Sequence, residues 1–101
     1  MFKAMILLKR NPDMAYEDFV TWWLKDHSEL AAQLPKLKKA VFNLIEGDGS
    51  DEYDGVSELW FDNQADFEAA YASEIGKGVA ADSLSKVSKR IRFFINEHQI
   101  K

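Results

Sequence analysis

No cysteine occurs anywhere in the chain, which excludes disulfides, thiolate metal sites and thiol nucleophiles and fits a reducing, cytoplasmic setting. Histidine is nearly as scarce. His27 and His98 fall on different predicted elements, and no cluster of side chains has metal-ligand spacing. The acidic residues Asp48, Asp51, Glu52 and Asp54 lack the spacing of an EF-hand loop. The five glycines read as turn residues and form no dinucleotide-binding loop, and no serine sits in a nucleophile elbow. Long apolar runs are missing as well: none approaches the roughly 20 residues that span a bilayer. The opening "MFKAMILLKR" lacks the layout of a signal peptide, being charged at both ends of a short apolar run. Positive charge is in deficit, with 13 Lys and Arg against 17 Asp and Glu, a net charge of −4. The small clusters Lys36, Lys38, Lys39 and Lys89, Arg90, Arg92 make no long basic stripe. The expectation is a protein with no metal, no cofactor, no nucleic-acid partner and no membrane association.

What is present is apolar and aromatic. Apolar residues make up 47% of the 101, and seven Phe, three Trp and three Tyr are generous for one small domain. "FKAMILLKRN" reads as a buried strand closed by Asn11-Pro12-Asp13. Residues 13 to 34 read as a helix, with Asp13 as N-cap, Glu17 and Asp18 in the first turn and Pro35 as the stop. "LKKAVFNLIEG" and "GVSELWFD" read as a hairpin around an acidic, turn-rich loop. Asn63 opens a second helix carrying Phe67, Ala70, Tyr71 and Ile75 on one face. Gly76 and Gly78 are expected to break it, with "VAADSLSKV" as a further short helical piece. "KRIRFFINEHQI" is the last strand.

The order β-α-β-β-α-β over residues 1–101 is a single α+β domain of ferredoxin-like plan with an antiparallel sheet. Two helices cover one sheet face. "AMILL", "VFNLI" and "IRFFI" nonetheless carry apolar groups toward both faces, so the second face is expected to be buried in a homodimer.

The stretch "WWLKDHSELAAQLP" places one imidazole in an apolar run. At about 100° per residue, His27 falls on the same stripe as Phe19, Trp23, Leu30 and Leu34, while Trp22 and Asp26 sit to one side. A histidine facing the sheet is either packed and hydrogen-bonded for structure or a general acid/base in a cavity. Ala31 and Ala32 leave room for the second arrangement. Glu58 lies between apolar neighbours on the strand face of Val56 and Trp60. It reads as an orienting carboxylate for His27, with a raised pKa if desolvated, or as half of an ion pair. Asn43, the polar residue within "VFNLI", reads as a donor to a ligand oxygen or a cross-strand bonding group. Asp82 reads as the cap of the last helical piece or as a residue at a pocket mouth. Trp23, Phe42 and Trp60 read as a stacking platform for a flat ligand or as packing.

Nearly the whole chain resembles the EthD family of the dimeric α+β barrel superfamily. The resemblance rests on "LLKRNPDMAYEDFVTWWLKDHSELAAQLP", with Lys9-Arg10, Phe19, Trp23, His27, Leu30 and Leu34-Pro35 in register. It continues through "YDGVSELWFDNQADFEAA", "SEIGKGVAADS", which contains Asp82, and "RIRFFINEHQI". Ala15 stands where the family usually has Thr or Ser. Such proteins are often encoded beside degradative oxidation systems. The chain is also similar to methylmuconolactone methylisomerases, whose His-x7-Pro-x-Leu reads here as His27, Pro35 and Leu37. Those enzymes add a strand cysteine and a strand tyrosine where this chain has Leu59 and Ala40. The resemblance implies a dimeric α+β barrel that binds a small apolar, aromatic or lactone-like molecule between helices and sheet. His27 would then serve cofactor-free isomerase, cyclase or oxidoreductase chemistry, with Glu58 catalytic and Trp23, Phe42, Asn43, Trp60 and Asp82 around the substrate. A non-catalytic ligand-binding or accessory protein of an oxidase system is the alternative.

Overall fold

The computed structural model describes all 101 residues. Strand β1 (Phe2–Arg10) is followed by a helical segment of three parts: α1 (Tyr16–Thr21), a π-helical turn (Trp22–His27) and α2 (Ser28–Ala31). Then come β2 (Lys39–Leu44), β3 (Gly55–Phe61), α3 (Gln64–Ala72), α4 (Glu74–Lys86) and β4 (Val87–Ile95). The strands form one sheet in the order β2-β3-β1-β4, every neighbour antiparallel. This is the ferredoxin-like α+β arrangement expected from the element order.

Strand period decides the two faces. Ala4, Ile6 and Leu8 of β1 and Ser57, Leu59 and Phe61 of β3 turn toward the helices and are all buried. Phe19, Trp22, Trp23 and Ala31 pack on them from the first helical segment, Leu34 from the turn after it, and Phe67, Ala70 and Val79 from α3 and α4. The other face carries Met5, Leu7, Val56 and Trp60, which are half-buried, and Ile91 and Phe93, which are exposed. No helix covers that face.

Three local expectations are corrected. Asp13 is not the first N-cap: the helix starts behind Ala15, which offers no side-chain cap. Gly76 and Gly78 do not break the second helical region. The break is at Ser73, whose extended backbone (ψ 163°) and hydroxyl, accepting from the Gly76 N–H at 3.1 Å, start α4 afresh. Gly76 is there for proximity: a Cβ on it would stand 2.0 Å from the Ala70 carbonyl oxygen. Asp82 is not a cap, since it sits in the middle of the 13-residue α4.

The β2–β3 loop is tied down by one buried carboxylate. Asp54, 1% exposed, accepts from the Arg10 backbone N–H (3.0 Å) and from Arg10 Nη1 (2.6 Å), with Lys9 Nζ 3.5 Å away. Its own N–H donates to the Leu8 carbonyl at 2.7 Å. Gly55 follows because the Trp23 indole fills the space a Cβ would need, with a ring atom 2.5 Å from it.

Candidate functional site

His27 is 5% exposed and bonded through one nitrogen. Its Nδ1 lies 2.9 Å from Asp82 Oδ2, and Trp22 Nε1 donates to the same oxygen at 3.0 Å. A carboxylate only accepts, so the ring proton in this pairing resides on Nδ1. No protein group bonds Nε2, which is the acceptor whenever the ring carries a single proton on Nδ1. The Trp22 indole lies against the imidazole with ring centroids 4.9 Å apart, and the Phe42 ring, itself stacked on Trp23 at 4.6 Å, lies 6.1 Å from it.

The π-helical turn makes this possible. Trp22 and His27 are five residues apart, about 140° around a regular α-helix. An i→i+5 turn widens the helix by a residue and brings both onto one carboxylate of α4. The same turn leaves Leu30 38% exposed, although the regular wheel places it inside.

His27 borders a cavity between the helices and the sheet. Its wall includes Ile6, Phe42, Leu59, Tyr71, Ser83 and Arg90. The centre of a water molecule has about 20 Å³ to move in, room for one water. Two larger grooves meet this cavity. One, of about 420 Å³, opens between α2 and β2 and shares Ala31 and Phe42 with it. The other, of about 430 Å³, opens between α4 and β4 and shares Ile6, Tyr71, Ala80 and Arg90. Burial pushes the Tyr71 phenol up to about 12, against the opposing pull of Arg90 and Arg92. It therefore stays protonated at neutral pH, with an O–H that no protein acceptor takes.

The other expected residues are dispersed. Glu58 and Asn43 lie on the opposite sheet face from His27 and do not meet it. Glu58 is 2.6 Å from Lys3 Nζ and accepts from Asn43 Nδ2 at 2.9 Å; Lys3 lowers its pKa and outweighs the opposing effect of desolvation, so the expected rise is not found. Asn43 also donates to the Val56 carbonyl. Trp60 shares that face, with the ammonium groups of Lys3 and Lys39 over its ring at 4.8 and 4.7 Å. Trp23 is fully enclosed between Phe19 and Phe42, and its indole N–H has no acceptor. It backs Phe42 and does not border the cavity. Of the expected residues, His27, Phe42 and Asp82 come together. Trp22, Tyr71 and Arg90 join them without having been singled out. No group of three or more His, Asp or Glu side chains is placed to hold a metal, and no helix is long and apolar enough to cross a membrane.

The EthD domain family matches residues 11–86, three-quarters of the chain. The chain belongs to the EthD family. Nothing among curated proteins matches its sequence. Among solved structures it is similar to an ethyl tert-butyl ether D (EthD) family protein of Bacillus halodurans C-125. That likeness has a TM-score of 0.82 at 20% identity, over 97% of this chain and 100% of that one. It is also similar to a dimeric ferredoxin-like protein of unknown function from Thermobifida fusca YX, with a TM-score of 0.76 at 20% identity over 93% and 88% of the two chains. A third is the hydroxynitrile lyase of Passiflora edulis, with a TM-score of 0.76 at 17% identity over 97% and 95%. At these identities the structures speak for the shared fold of an EthD protein.

Proposed function

We propose that this EthD protein is a homodimer of a degradative or oxidative pathway. It binds a small apolar, aromatic or lactone-like molecule between helices and sheet and performs cofactor-free acid/base chemistry with His27. The observation that carries the reading is the imidazole held by Asp82 through Nδ1, with Nε2 unbonded beside a cavity. A ring fixed in that tautomer is a base aimed by its partner. With a carbonyl compound lying in an adjoining groove and its reacting carbon in the one-water space beside the ring, Nε2 takes a proton from the carbon next to the carbonyl, and the C–H electron pair moves into the enolate. Tyr71 donates a hydrogen bond to the enolate oxygen. The imidazolium, paired with Asp82, returns the proton at another position, so the step is a redox-neutral isomerisation or ring closure. Dimerisation through the uncovered face would bury Leu7, Val56, Ile91 and Phe93.

A non-catalytic binder is the second reading, favoured by the single-water size of the enclosed space beside His27. It would seat its ligand in an outer groove. The test is nuclear magnetic resonance titration of His27 with lactones and phenols, repeated for His27→Gln. Ligand-dependent shifts of Nε2, with binding and turnover lost in the variant, support catalysis. Unchanged affinity in His27→Gln supports the binder. No response of the ring to any compound rules out a ligand at this site.

A further inference from the structure

The groove between α4 and β4 has a one-sided electrostatic lining. Its apolar wall includes Ile6, Phe67 and Leu84, and its charged residues are Lys77, Arg90 and Arg92, all cations. The whole chain is acidic, yet neither arginine has a carboxylate within ion-pair distance; the ion pairs use Lys3, Lys9, Arg10, Lys36, Lys38, Lys77 and Lys89. Arg90 and Arg92 are two apart on β4, beside Leu8 and Ile6, so strand alternation turns both toward the helix side. Arg92 is already planted over Phe67 and Phe94, at 5.5 and 4.6 Å from the ring centroids, which limits its freedom before any ligand arrives. Arg90 lines both this groove and the cavity beside His27, as does Tyr71, whose hydroxyl has no protein partner.

We infer that this groove is an anion subsite: the ligand of the His27 cavity carries a carboxylate, held by Arg90 with Arg92 beside it, and extends its apolar body past Tyr71 toward the imidazole. The inference rests on the reading of the His27 cavity as a ligand site and specifies the substrate class. A guanidinium presents a planar pair of donors that fits a carboxylate in a bidentate manner. A groove rich in apolar surface and free of acidic side chains rejects cations and favours amphipathic monoanions. Fixing the charged end at the groove mouth also sets which carbon of the body faces Nε2, so the arginines govern regiochemistry as well as affinity.

Phenylacetate and its uncharged isostere phenylacetamide are the probes, with affinity read by calorimetry on the full chain. Position is read from the Tyr71 and His27 resonances. The acid should bind about tenfold more tightly than the amide at low salt, with the preference shrinking as salt rises. Arg90→Gln should abolish the preference. Lys25→Gln, an equal change in charge at an unpaired surface lysine, should leave it intact. Equal binding of acid and amide at the two resonances overturns the anion subsite while leaving the His27 cavity as a neutral-ligand site. A preference that survives Arg90→Gln also overturns it. Failure of both probes to move either resonance overturns the subsite and the cavity reading together.

Discussion

Asp82→Ala is the most informative single change, because one carboxylate oxygen serves two buried donors. It removes the acceptor of His27 Nδ1 at 2.9 Å and of Trp22 Nε1 at 3.0 Å. A hydrogen bond to a charged group contributes about 1.5–3 kcal/mol, which puts the ceiling for two at about 3–6 kcal/mol. The Asp82 side chain is 25% exposed, so water will reach the vacated space and satisfy part of the demand. The expected loss therefore falls below that ceiling, at about 2–3 kcal/mol, or roughly 10–20 °C in Tm for a domain of this size. Trp22→Phe keeps an aromatic ring against the imidazole but deletes the N–H, and should cost about 1 kcal/mol. In the Asp82→Ala background most of that cost should vanish, a coupling of about 1 kcal/mol in the double-mutant cycle. Thermal unfolding by circular dichroism reads the cycle, and nitrogen-15 spectra read the ring tautomer, which should shift from Nδ1–H toward Nε2–H in Asp82→Ala. Strict additivity, a Tm within 2 °C of the parent and an unchanged tautomer would together refute the claim that Asp82 fixes this ring.

The two glycines of α4 should respond in opposite directions. Gly76→Ala drives a methyl onto the Ala70 carbonyl and should destabilise by about 2 kcal/mol or more, whereas Gly78→Ala meets nothing within 4 Å and should stabilise by about 0.5–1 kcal/mol, both by denaturant titration. Lys3 lowers the folded-state pKa of Glu58, so the pair's contribution is present above the unfolded value of 4.5 and lost as pH falls through the folded one. The stability advantage of the parent over Glu58→Gln, followed by urea unfolding from pH 6 to pH 3, should narrow on acidification. If it widens, the sign of the shift is wrong. Phe93→Glu places a charge on the edge strand β4 of the uncovered sheet face, where Phe93 is 50% exposed. It should convert a dimer to a monomer in sedimentation equilibrium, and an unchanged mass would exclude that face as the interface.

The strands and their order were legible because each is a compact apolar run ended by charge or turn residues. Their facing was not. Since "AMILL" and "VFNLI" are apolar on both sides, alternation groups Glu58 with Trp60 and Val56 correctly but does not say which set meets the helices. Glu58, Asn43 and Trp60 were consequently expected beside His27 and stand on the far side of the sheet. The inward pointing of His27 was legible because it follows buried Trp23 by four residues, close to one turn in α- and π-winding alike. The role of Trp22 was not, because a 100° wheel assumes a regular helix and the chain leaves that geometry at Trp22. Asp82 looked like a cap because glycines were expected to end the preceding helix. The tertiary demand for closeness at Ala70 places Gly76 inside a continuous helix and Asp82 in its middle. The "LLKR" and "YDG" segments that carry the family resemblance proved to touch each other, through Asp54 with Lys9 and Arg10.

The wide turn at Trp22–His27 makes spacing, more than side-chain identity, the sensitive variable of this segment. Ordinary α-winding with every residue of the segment kept would set Trp22 and His27 about 140° apart. The indole and the imidazole would then diverge around the axis and compete for a carboxylate that today serves both. Losing one residue there together with the wide turn leaves the two rings about 40° apart, so the shared carboxylate is kept by a shorter segment.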